Sequence, residues 1–189
     1  MLVTAHHGTT VETAALVMAG EPLQVSNNKG DWLGTGVYFW QDAPKRAAVW
    51  AGRAATKHRT RPAVLEATID LSECFDLLDL FNFETLQLEY EEFAALAFSQ
   101  EQGPLEIVDG ATVYPTDGTK LVDRNKRDKA VIDFAAASIE AKTGKAVRVV
   151  RSPFLWGTAL YPSSFIFNWS NVHICVRDHS VIQNLKVIA

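Results

Sequence analysis

SNNKGDWLGTGVYFWQDAPKRAAVWA, residues 26–51, is the stretch around which we interpret the rest of the chain. It places a polar turn, two glycines, an aromatic strand and the start of a helix next to one another. Gly34 and Gly36 permit backbone geometry that side chains forbid, and they leave backbone amides open to a ligand. Tyr38 begins a run of aromatic residues on which a flat ligand can stack. Taken alone, Gly-x-Gly favours a hairpin turn before a core strand, so the case for a site depends on what the chain places beside it.

Length and composition predict a single domain, residues 1–189, with a sizeable core. Apolar residues make up 48% and charged residues 21% of the chain, which is typical of a globular protein. No apolar run is long enough to span a bilayer, and the N-terminus lacks a secretory pattern, so we expect a cytoplasmic protein without membrane contact. The net charge of −4 provides no overall field that would attract nucleic acid, although a local basic groove is compatible with it.

The number and spacing of the cysteines argue against a domain held together by disulfides or by a zinc ion. Cys74 and Cys175 lie far apart in sequence and no second pair accompanies them. This pattern indicates neither a disulfide framework nor a zinc site. We expect two buried free thiols in a reducing compartment.

The N-terminus predicts a strand that delivers polar residues to a helix start. Met1–Ala5 is apolar, and Thr9 has capping-box spacing to Glu12 at the start of a helix that Gly20 ends. The sequence His7-Gly8-Thr9 therefore falls at a strand-to-helix junction, where a side chain and backbone amides can converge on one ligand. The competing interpretation makes one of the two adjacent histidines a surface residue and the other a capping partner.

The remaining pattern alternates helices and strands. The basic run KHRTR, residues 57–61, ends one helix and is the best candidate for an anion contact. Residues 100–124 are rich in glycine and proline and predict a mobile loop. The predicted elements are a helix capped by Asp42 with Pro44 in its first turn and Ala47, Ala51 and Ala54 on one face, a strand at Ala63–Asp70, a helix capped at Asn82 with its glutamates in solvent, a helix from Asp123 to Gly144, and strands at Ala146–Arg151 and Asn171–Arg177.

The last of these strands has two distinct faces. Strict alternation directs Val172, Ile174 and Val176 towards a core, and it directs His173 and its alternate neighbours towards the opposite face. That opposite face could line a cleft. The preceding segment, residues 152–170, is rich in aromatic residues.

Two of these stretches resemble a known family. HHGTT (residues 6–10) and GDWLGTGVYFWQDAPKRAAVWA (residues 30–51) resemble the first two motifs of ADP-ribosyltransferases with a His-Tyr-Glu triad, the poly(ADP-ribose) polymerase-like and diphtheria-toxin-like enzymes. Within this family, the chain resembles a group of small bacterial proteins with an Asp-Trp-Leu-Gly-x-Gly-x-Tyr-Phe-Trp motif. The likeness continues in PAVLEATIDLSECFDLLD, RDKAVIDFA, RSPFLWGTALYPSS and VHICVRDHSVI, so it touches nearly the whole chain, although only the first two motifs are specific.

The resemblance implies a fold and a function. The fold would be α+β, with an ADP-ribosyltransferase-like split β-sheet of two small, mostly antiparallel sheets, surrounding helices, and an NAD cleft between the sheets. The activity would be NAD-dependent mono-ADP-ribosyl transfer, a glycosyltransferase reaction with NAD as co-substrate. The protein would be a bacterial toxin or phage-defence effector that modifies a protein or nucleic acid, with a neutralising antitoxin as partner.

The resemblance also implies roles for individual residues. His7 would hydrogen-bond the ribose hydroxyls of NAD, and Tyr38 would stack on the nicotinamide ring. The other implied cofactor-binding residues are Gly8, whose backbone would hold the nicotinamide amide, Thr9, which would support that turn, Gly36, Phe39, and Arg151, which would contact a phosphate. Cleavage of the nicotinamide–ribose bond passes through an oxocarbenium-like state, which a hydrogen-bond acceptor on the 2′-hydroxyl stabilises.

The chain departs from the family where that acceptor should be. His173 takes the position of the expected catalytic glutamate, and Trp156 takes the position that is acidic in the bacterial group. Three interpretations follow: a neutral His173 accepts from the 2′-hydroxyl, a carboxylate of Glu106 or Asp109 moves in, or the chain is a degenerate module that binds NAD or a partner without transfer. Alternatively, His173 is a half-buried strand histidine bonded to a carbonyl. Trp156 is either a lid or acceptor-recognition aromatic, or part of the core.

Overall fold

The computed structural model describes residues 1–28, 30–98, 107–108, 111–112 and 121–189. These residues form an α+β fold, which confirms the predicted class. The helices are α1 (Val11–Met18), α2 (Pro44–His58), α3 (Leu80–Phe98) and α4 (Leu121–Thr143). The strands are β1 (Leu2–Thr10), β2 (Val37–Gln41), β3 (Pro62–Asp70), β4 (Cys74–Asp76), β5 (Ile107–Val108), β6 (Ala111–Thr112), β7 (Val149–Phe154), β8 (Asn171–Val176) and β9 (Ile182–Val187).

The main sheet is continuous but weakly joined at its centre. Its seven strands lie in the order β4-β7-β8-β2-β1-β3-β9, where the expectation was two small sheets, and β5 and β6 form a separate hairpin. β1 pairs with β3 along its whole length, whereas it pairs with β2 only through Ala5 with Gln41 and His6 with Trp40. Beyond His6 the two central strands separate. The sheet therefore opens between β1 and β2, next to the residues that the sequence indicated as a site.

The N-terminal strand is longer than predicted. The ladder with β3 continues to Thr10, so His7, Gly8 and Thr9 lie inside β1, and the prediction that they form a strand-to-helix junction is wrong. Thr10 is the N-cap of α1, and its hydroxyl oxygen accepts from the Thr13 amide at 3.3 Å. Glu12 accepts from the Thr60 hydroxyl and does not close a capping box. The nine-residue ladder overrides the local capping signal.

Two layers of core cover the two faces of the sheet. Leu65, Ala67 and Ile69 are buried on one face together with Ile174 and Val176, as the alternation in β3 and β8 predicted. α4 packs on the other face through the predicted residues Val131, Ile132, Ala135 and Ile139, of which Ile132 and Ala135 meet Leu33, Val150 and Cys175. The alternating pattern therefore identified the main buried face, although Val172 is only half-buried and Cys175, on the opposite face of β8, is fully buried.

α2 lies directly against β1. A Cβ atom on Gly8 would lie 2.1 Å from the Ala47 carbonyl oxygen, so only glycine permits this approach. The buried helix positions are Ala47, Ala51 and Ala55, where the third was predicted as Ala54. The predicted cap is also wrong, because Ala43 is the N-cap and no side chain bonds the first turn. Pro44 begins the helix as expected.

α3 and α4 begin earlier than the capping signals indicated. α3 starts at Leu80, because the Asp79 carboxylate accepts from the Phe81 amide at 2.9 Å, so Asn82 is not the cap. α4 starts at Leu121, ahead of Asp123, and ends at Gly144 as predicted. One α3 glutamate departs from the expected solvated face: Glu89 is 4% exposed and pairs with Lys142 of α4 at 2.9 Å.

The remaining predictions concern the last strands, the two cysteines and the loop at residues 100–124. The strand predicted at Ala146–Arg151 forms three residues later as β7, whereas β8 begins at Asn171 as predicted. Both cysteines are free, Cys175 buried and Cys74 half-buried. Most of the predicted loop at residues 100–124 lies outside the described residues, and so do Glu106 and Asp109.

Candidate functional site

An aromatic cavity of about 280 Å³ lies on the face of the sheet covered by α2. All five tryptophans of the chain line it: Trp32, Trp40, Trp50, Trp156 and Trp169. Tyr38 and Phe154 complete the aromatic wall, and His7 and His173 line the same cavity. A site with so many aromatic faces is suited to a flat ligand.

The strand ladder sets the spacing of the cavity floor. Trp40 of β2 pairs with His173 of β8, and Tyr38 pairs with Cys175 one step along the same face. The His173 ring lies 5.8 Å from the Trp40 ring edge-to-face and stacks on Phe154 at 4.5 Å. Because alternate residues of a strand share a face, Tyr38 and Trp40 lie side by side on this floor.

His7 bridges the opening between β1 and β2. Its Nδ1 lies 2.8 Å from the Tyr38 carbonyl oxygen, which can only accept, so Nδ1 carries the proton and Nε2 is the acceptor of the ring. Burial lowers the pKa of His7, an effect that the hydrogen bond to Tyr38 only partly offsets, so the ring is neutral at pH 7. A neutral acceptor at this position can receive a hydrogen bond from a hydroxyl group.

Gly8 directs its backbone towards the same opening. Across the ladder, the Val64 amide donates to Ala189 and its carbonyl accepts from Ile188, so the polar groups of Val64 face β9. In an antiparallel ladder the residue opposite then points its own amide and carbonyl the other way. Gly8 pairs with Val64, and its backbone groups therefore point to the β2 side, beyond the last β1–β2 pair.

The Tyr38 hydroxyl is committed to the adjacent glycine turn. It accepts from the Leu33 amide and donates to the Gly34 carbonyl, both at 2.8 Å. Burial raises the pKa of Tyr38, so the phenol keeps its proton. Tyr38 consequently offers the cavity its ring face, while its hydroxyl shapes the turn. Gly34 has a φ of +89°, which favours glycine at that position.

His173 presents a donor, in contrast to the acceptor role considered for it. Its Nδ1 accepts from the Trp32 indole at 3.2 Å, and an indole nitrogen can only donate, so Nε2 carries the proton. Burial, together with the Arg46 charge, lowers the pKa of His173 to about 4. The neutral ring therefore cannot accept from a ribose hydroxyl in this arrangement. Its partner is also not the carbonyl that the alternative interpretation expected.

Two arginines of α2, Arg46 and Arg53, line the cavity. The Arg46 guanidinium lies 3.9 Å above the Trp169 ring and donates to the Asn168 carbonyl at 3.2 Å. Arg53 lies 5.8 Å from the same ring. Burial, followed by the nearby Arg53 charge, lowers the pKa of Arg46. Two close guanidinium groups over an aromatic ring are suited to a phosphate group.

A carboxylate, that of Asp31, belongs to the same lining. Asp31 is 7% exposed and accepts from the Ser26 hydroxyl at 2.9 Å and from the Asn28 amide at 2.8 Å. It is the only acidic side chain lining the cavity within the described part of the chain. Its charge contributes to the raised pKa values of Tyr38 and Cys175, after burial as the main cause.

Opposite charges line the same cavity. Asp31 contributes a carboxylate, and Arg46 and Arg53 contribute two guanidinium groups. The Asp31 charge contributes to the raised pKa of Tyr38, whereas the Arg46 charge contributes to the lowered pKa of His173. The cavity is therefore bipolar, in the sense that its lining carries both a carboxylate and guanidinium groups.

Several residues implied by the resemblance lie away from the cavity lining. Phe39 is buried in the main core, Gly36 packs against the Val176 carbonyl, and Thr9 is buried inside β1. Arg151 is 12% exposed and pairs with Asp76 at 3.0 Å. None of these four, nor Gly8 or the 57–61 run, lines the cavity.

Trp156 lies at the cavity and not in the core. It is 47% exposed and stacks on Phe154 at 6.1 Å. Of the two interpretations considered for Trp156, the core position is therefore wrong.

The residues that sequence reasoning missed are those that make the cavity bipolar. Arg46, Trp50 and Arg53 have i, i+4, i+7 spacing, which places them on one face of a helix, and this signal was available in the sequence. Asp31 and Trp32 stand inside the quoted motif, but their roles depend on a loop whose shape the motif does not specify.

Searches for a metal site, for a membrane span and for similar proteins found nothing that assigns the chain to a family. Within the described residues no group of three or more His, Cys, Asp or Glu side chains could hold a metal ion. No helix in that part of the chain has the length and apolar character needed to cross a membrane. No family model, curated protein or solved structure matches the chain.

Proposed function

We propose that the cavity binds NAD and that the chain is an NAD-dependent mono-ADP-ribosyltransferase with a split-sheet fold of that family. The observation that carries the proposal is the bipolar aromatic cavity. NAD joins a flat, positively charged nicotinamide ring to an anionic pyrophosphate through a ribose, and the cavity lining includes a carboxylate, aromatic rings, a hydrogen-bond acceptor and two guanidinium groups that match these parts.

In this proposal each part of NAD has its own contact. The nicotinamide ring lies against Tyr38 near Asp31, and the pyrophosphate lies towards Arg46 and Arg53. A hydroxyl of the intervening ribose donates to Nε2 of His7. The Gly8 backbone groups, which point to the opening between β1 and β2 although Gly8 is not part of the cavity lining, hold the nicotinamide amide. The weak β1–β2 junction supports this arrangement because it provides the gap that a dinucleotide needs.

The reaction is a glycosyl transfer. The nicotinamide–ribose bond breaks, its electron pair leaves with nicotinamide, and positive charge develops on the ribose. A nucleophile of the acceptor then bonds to the ribose carbon and loses its proton. His7 holds the ribose by its hydroxyl, and the tryptophan walls exclude water that would otherwise react with the ribose. We propose that the acceptor is a protein or a nucleic acid. We also propose that the protein acts as a toxin or phage-defence effector and has a neutralising antitoxin as partner.

A second candidate is an NAD-binding module without transfer. It is favoured by one observation: Trp156 and His173, at the two positions where the family carries an acid, offer no carboxylate, and His173 presents an N–H donor. Without a strong acceptor on the 2′-hydroxyl, stabilisation of the oxocarbenium-like state is reduced, and loss of such a group commonly costs about 10²-fold or more in rate.

The test uses paired substitutions of His7. In His7→Asn the amide can still donate to the Tyr38 carbonyl, but nothing replaces Nε2, whereas in His7→Gln the longer side chain reaches the Nε2 position. NAD labelled on the nicotinamide and, separately, on the adenylate is incubated with lysate treated with nuclease or with protease. We expect nicotinamide release and adenylate transfer by the wild type, loss of about 10²-fold in His7→Asn, and partial recovery in His7→Gln.

The other outcomes separate the candidates. Saturable quenching of tryptophan fluorescence by NAD, without release of nicotinamide, identifies the binding module. Absence of both quenching and release refutes the proposal. Glu66→Gln, a substitution outside the cavity lining, is the matched control and should behave as the wild type.

A further inference from the structure

Asp31 is a buried carboxylate without a cationic partner in the described part of the chain. Its hydrogen-bond donors there are neutral, the Ser26 hydroxyl and the Asn28 amide. None of the ion pairs formed among the described residues includes it. A buried charge is costly unless a counter-charge compensates for it. A cationic ligand group beside Asp31 would provide that compensation.

The surroundings of Asp31 favour a flat cation. Trp32 is its chain neighbour, and Tyr38, whose pKa responds to the Asp31 charge, lies on the same cavity wall. Aromatic faces attract a cation through their quadrupole, and the attraction strengthens where water is excluded. The Coulomb attraction of the carboxylate is also larger in a partly buried site than in water.

The guanidinium groups of the cavity have partners of their own. Arg46 is held by Trp169 and Asn168. Arg53 lies 5.8 Å from the same Trp169 ring. Among the described residues, neither arginine forms an ion pair with Asp31.

We infer that Asp31 makes the cavity select a positively charged ring over a neutral ring of the same shape, an inference that rests on the proposed NAD binding. Asp31 is thus the specificity-determining residue for the nicotinamide end of the ligand. Its bonds to Ser26 and Asn28 hold the carboxylate in place before the ligand arrives, so the site loses little side-chain freedom on binding.

The experiment compares two dinucleotides by titration calorimetry. One is a carbocyclic NAD analogue, which keeps the pyridinium charge and cannot be cleaved, and the other is benzamide adenine dinucleotide, whose ring is neutral and of nearly the same shape. The wild type should bind the cationic ligand roughly tenfold more tightly or better. In Asp31→Asn that preference should fall to about twofold or less.

Two controls test whether a lost preference comes from the Asp31 charge and not from a disturbed loop or from the change in net charge. Asn at position 31 keeps an oxygen for the Asn28 amide, and its amide group can donate to the Ser26 hydroxyl, so the loop should hold, which a thermal melt checks. Glu66→Gln makes the same change in net charge outside the cavity lining and should retain the full preference.

Each outcome decides the inference. Equal affinity of the wild type for both ligands overturns it while leaving the proposed function in place, and so does an unchanged preference in a folded Asp31→Asn variant. If neither dinucleotide binds the wild type, the proposed function itself fails and the inference fails with it.

Discussion

Asp133 of α4 anchors the Gly-x-Gly turn to the rest of the protein. Its carboxylate accepts from the Thr35 amide and the Thr35 hydroxyl, each at 2.7 Å, and from Lys129 at 2.9 Å. Arg177, just beyond β8, donates to the same carboxylate. Thr35 stands between Gly34 and Gly36, so one side chain connects the turn, α4 and β8. We expect Asp133→Asn to weaken all three connections.

The pKa of Asp133 provides the magnitude. Burial raises it, but hydrogen bonds from Thr35, Arg177 and Lys129 outweigh burial and bring the pKa from 3.8 to about 2. At about 1.36 kcal/mol per pKa unit, this difference stabilises the fold by roughly 2 kcal/mol at neutral pH. Because the folded-state pKa is depressed, the stabilisation is complete above about pH 5 and is lost as pH falls through about 2.

The assay is urea denaturation of the wild type and Asp133→Asn at pH 7 and pH 3. The variant should be less stable by about 2 kcal/mol at pH 7, and this difference should be roughly halved at pH 3. Glu92→Gln is the control, because Glu92 pairs with Lys142 at a site where its side chain is 53% exposed, and such a pair contributes less than about 1 kcal/mol. A stability difference that is the same at both pH values would refute the reasoning.

Two further substitutions test the contacts that shape the cavity. Gly8→Ala should destabilise the fold by about 2–4 kcal/mol, because its Cβ would lie 2.1 Å from the Ala47 carbonyl. Gly52→Ala is the control in α2, the helix that carries Ala47: its new Cβ would meet nothing within 4 Å, and it should stabilise the fold by about 0.5–1 kcal/mol. Calorimetric melting compares the two variants. Similar losses of Tm in both would contradict the close approach of α2 to Gly8. Tyr38→Phe leaves the Leu33 amide without its acceptor and the Gly34 carbonyl with only the weak Cys175 thiol donor at 3.7 Å, and it should cost about 1–3 kcal/mol in urea denaturation. Tyr161→Phe, at a 59% exposed ring, should cost almost nothing, and an equal loss in both variants would show that the Tyr38 hydroxyl bonds are not what matters.

Hydrophobic periodicity predicted the buried faces well. The alternation in Ala63–Asp70 and Asn171–Arg177 identified the residues of β3 and β8 that enter the main core, and the helical spacing did the same for α4, but Cys175 on the other face of β8 is fully buried as well. These predictions succeed because burial follows from side-chain direction, which the period of the backbone sets. Gly144 also ends α4 as expected, since its φ of +70° favours glycine.

Element starts were predicted less well, because capping signals compete with longer-range pairing. Thr9 has the right spacing to cap α1, yet the ladder with β3 holds it in a strand and moves the cap to Thr10. Asp42 likewise precedes α2 without capping it. A single capping bond contributes about 1 kcal/mol, which is less than the strand pairs that oppose it.

The sequence by itself determined the alternation of helices and strands, the main buried face and the two motifs that carry His7 and Tyr38, because these depend on periodicity and on local residue type, whereas the α+β class was an expectation from the resemblance. Only the tertiary structure decided that Asp31, Arg46 and Arg53 line one cavity. It also decided that His7 offers an acceptor and His173 a donor, through the Tyr38 carbonyl and the Trp32 indole. The protonated nitrogen of an imidazole is set by the group that it meets across the fold, and sequence spacing does not specify that group.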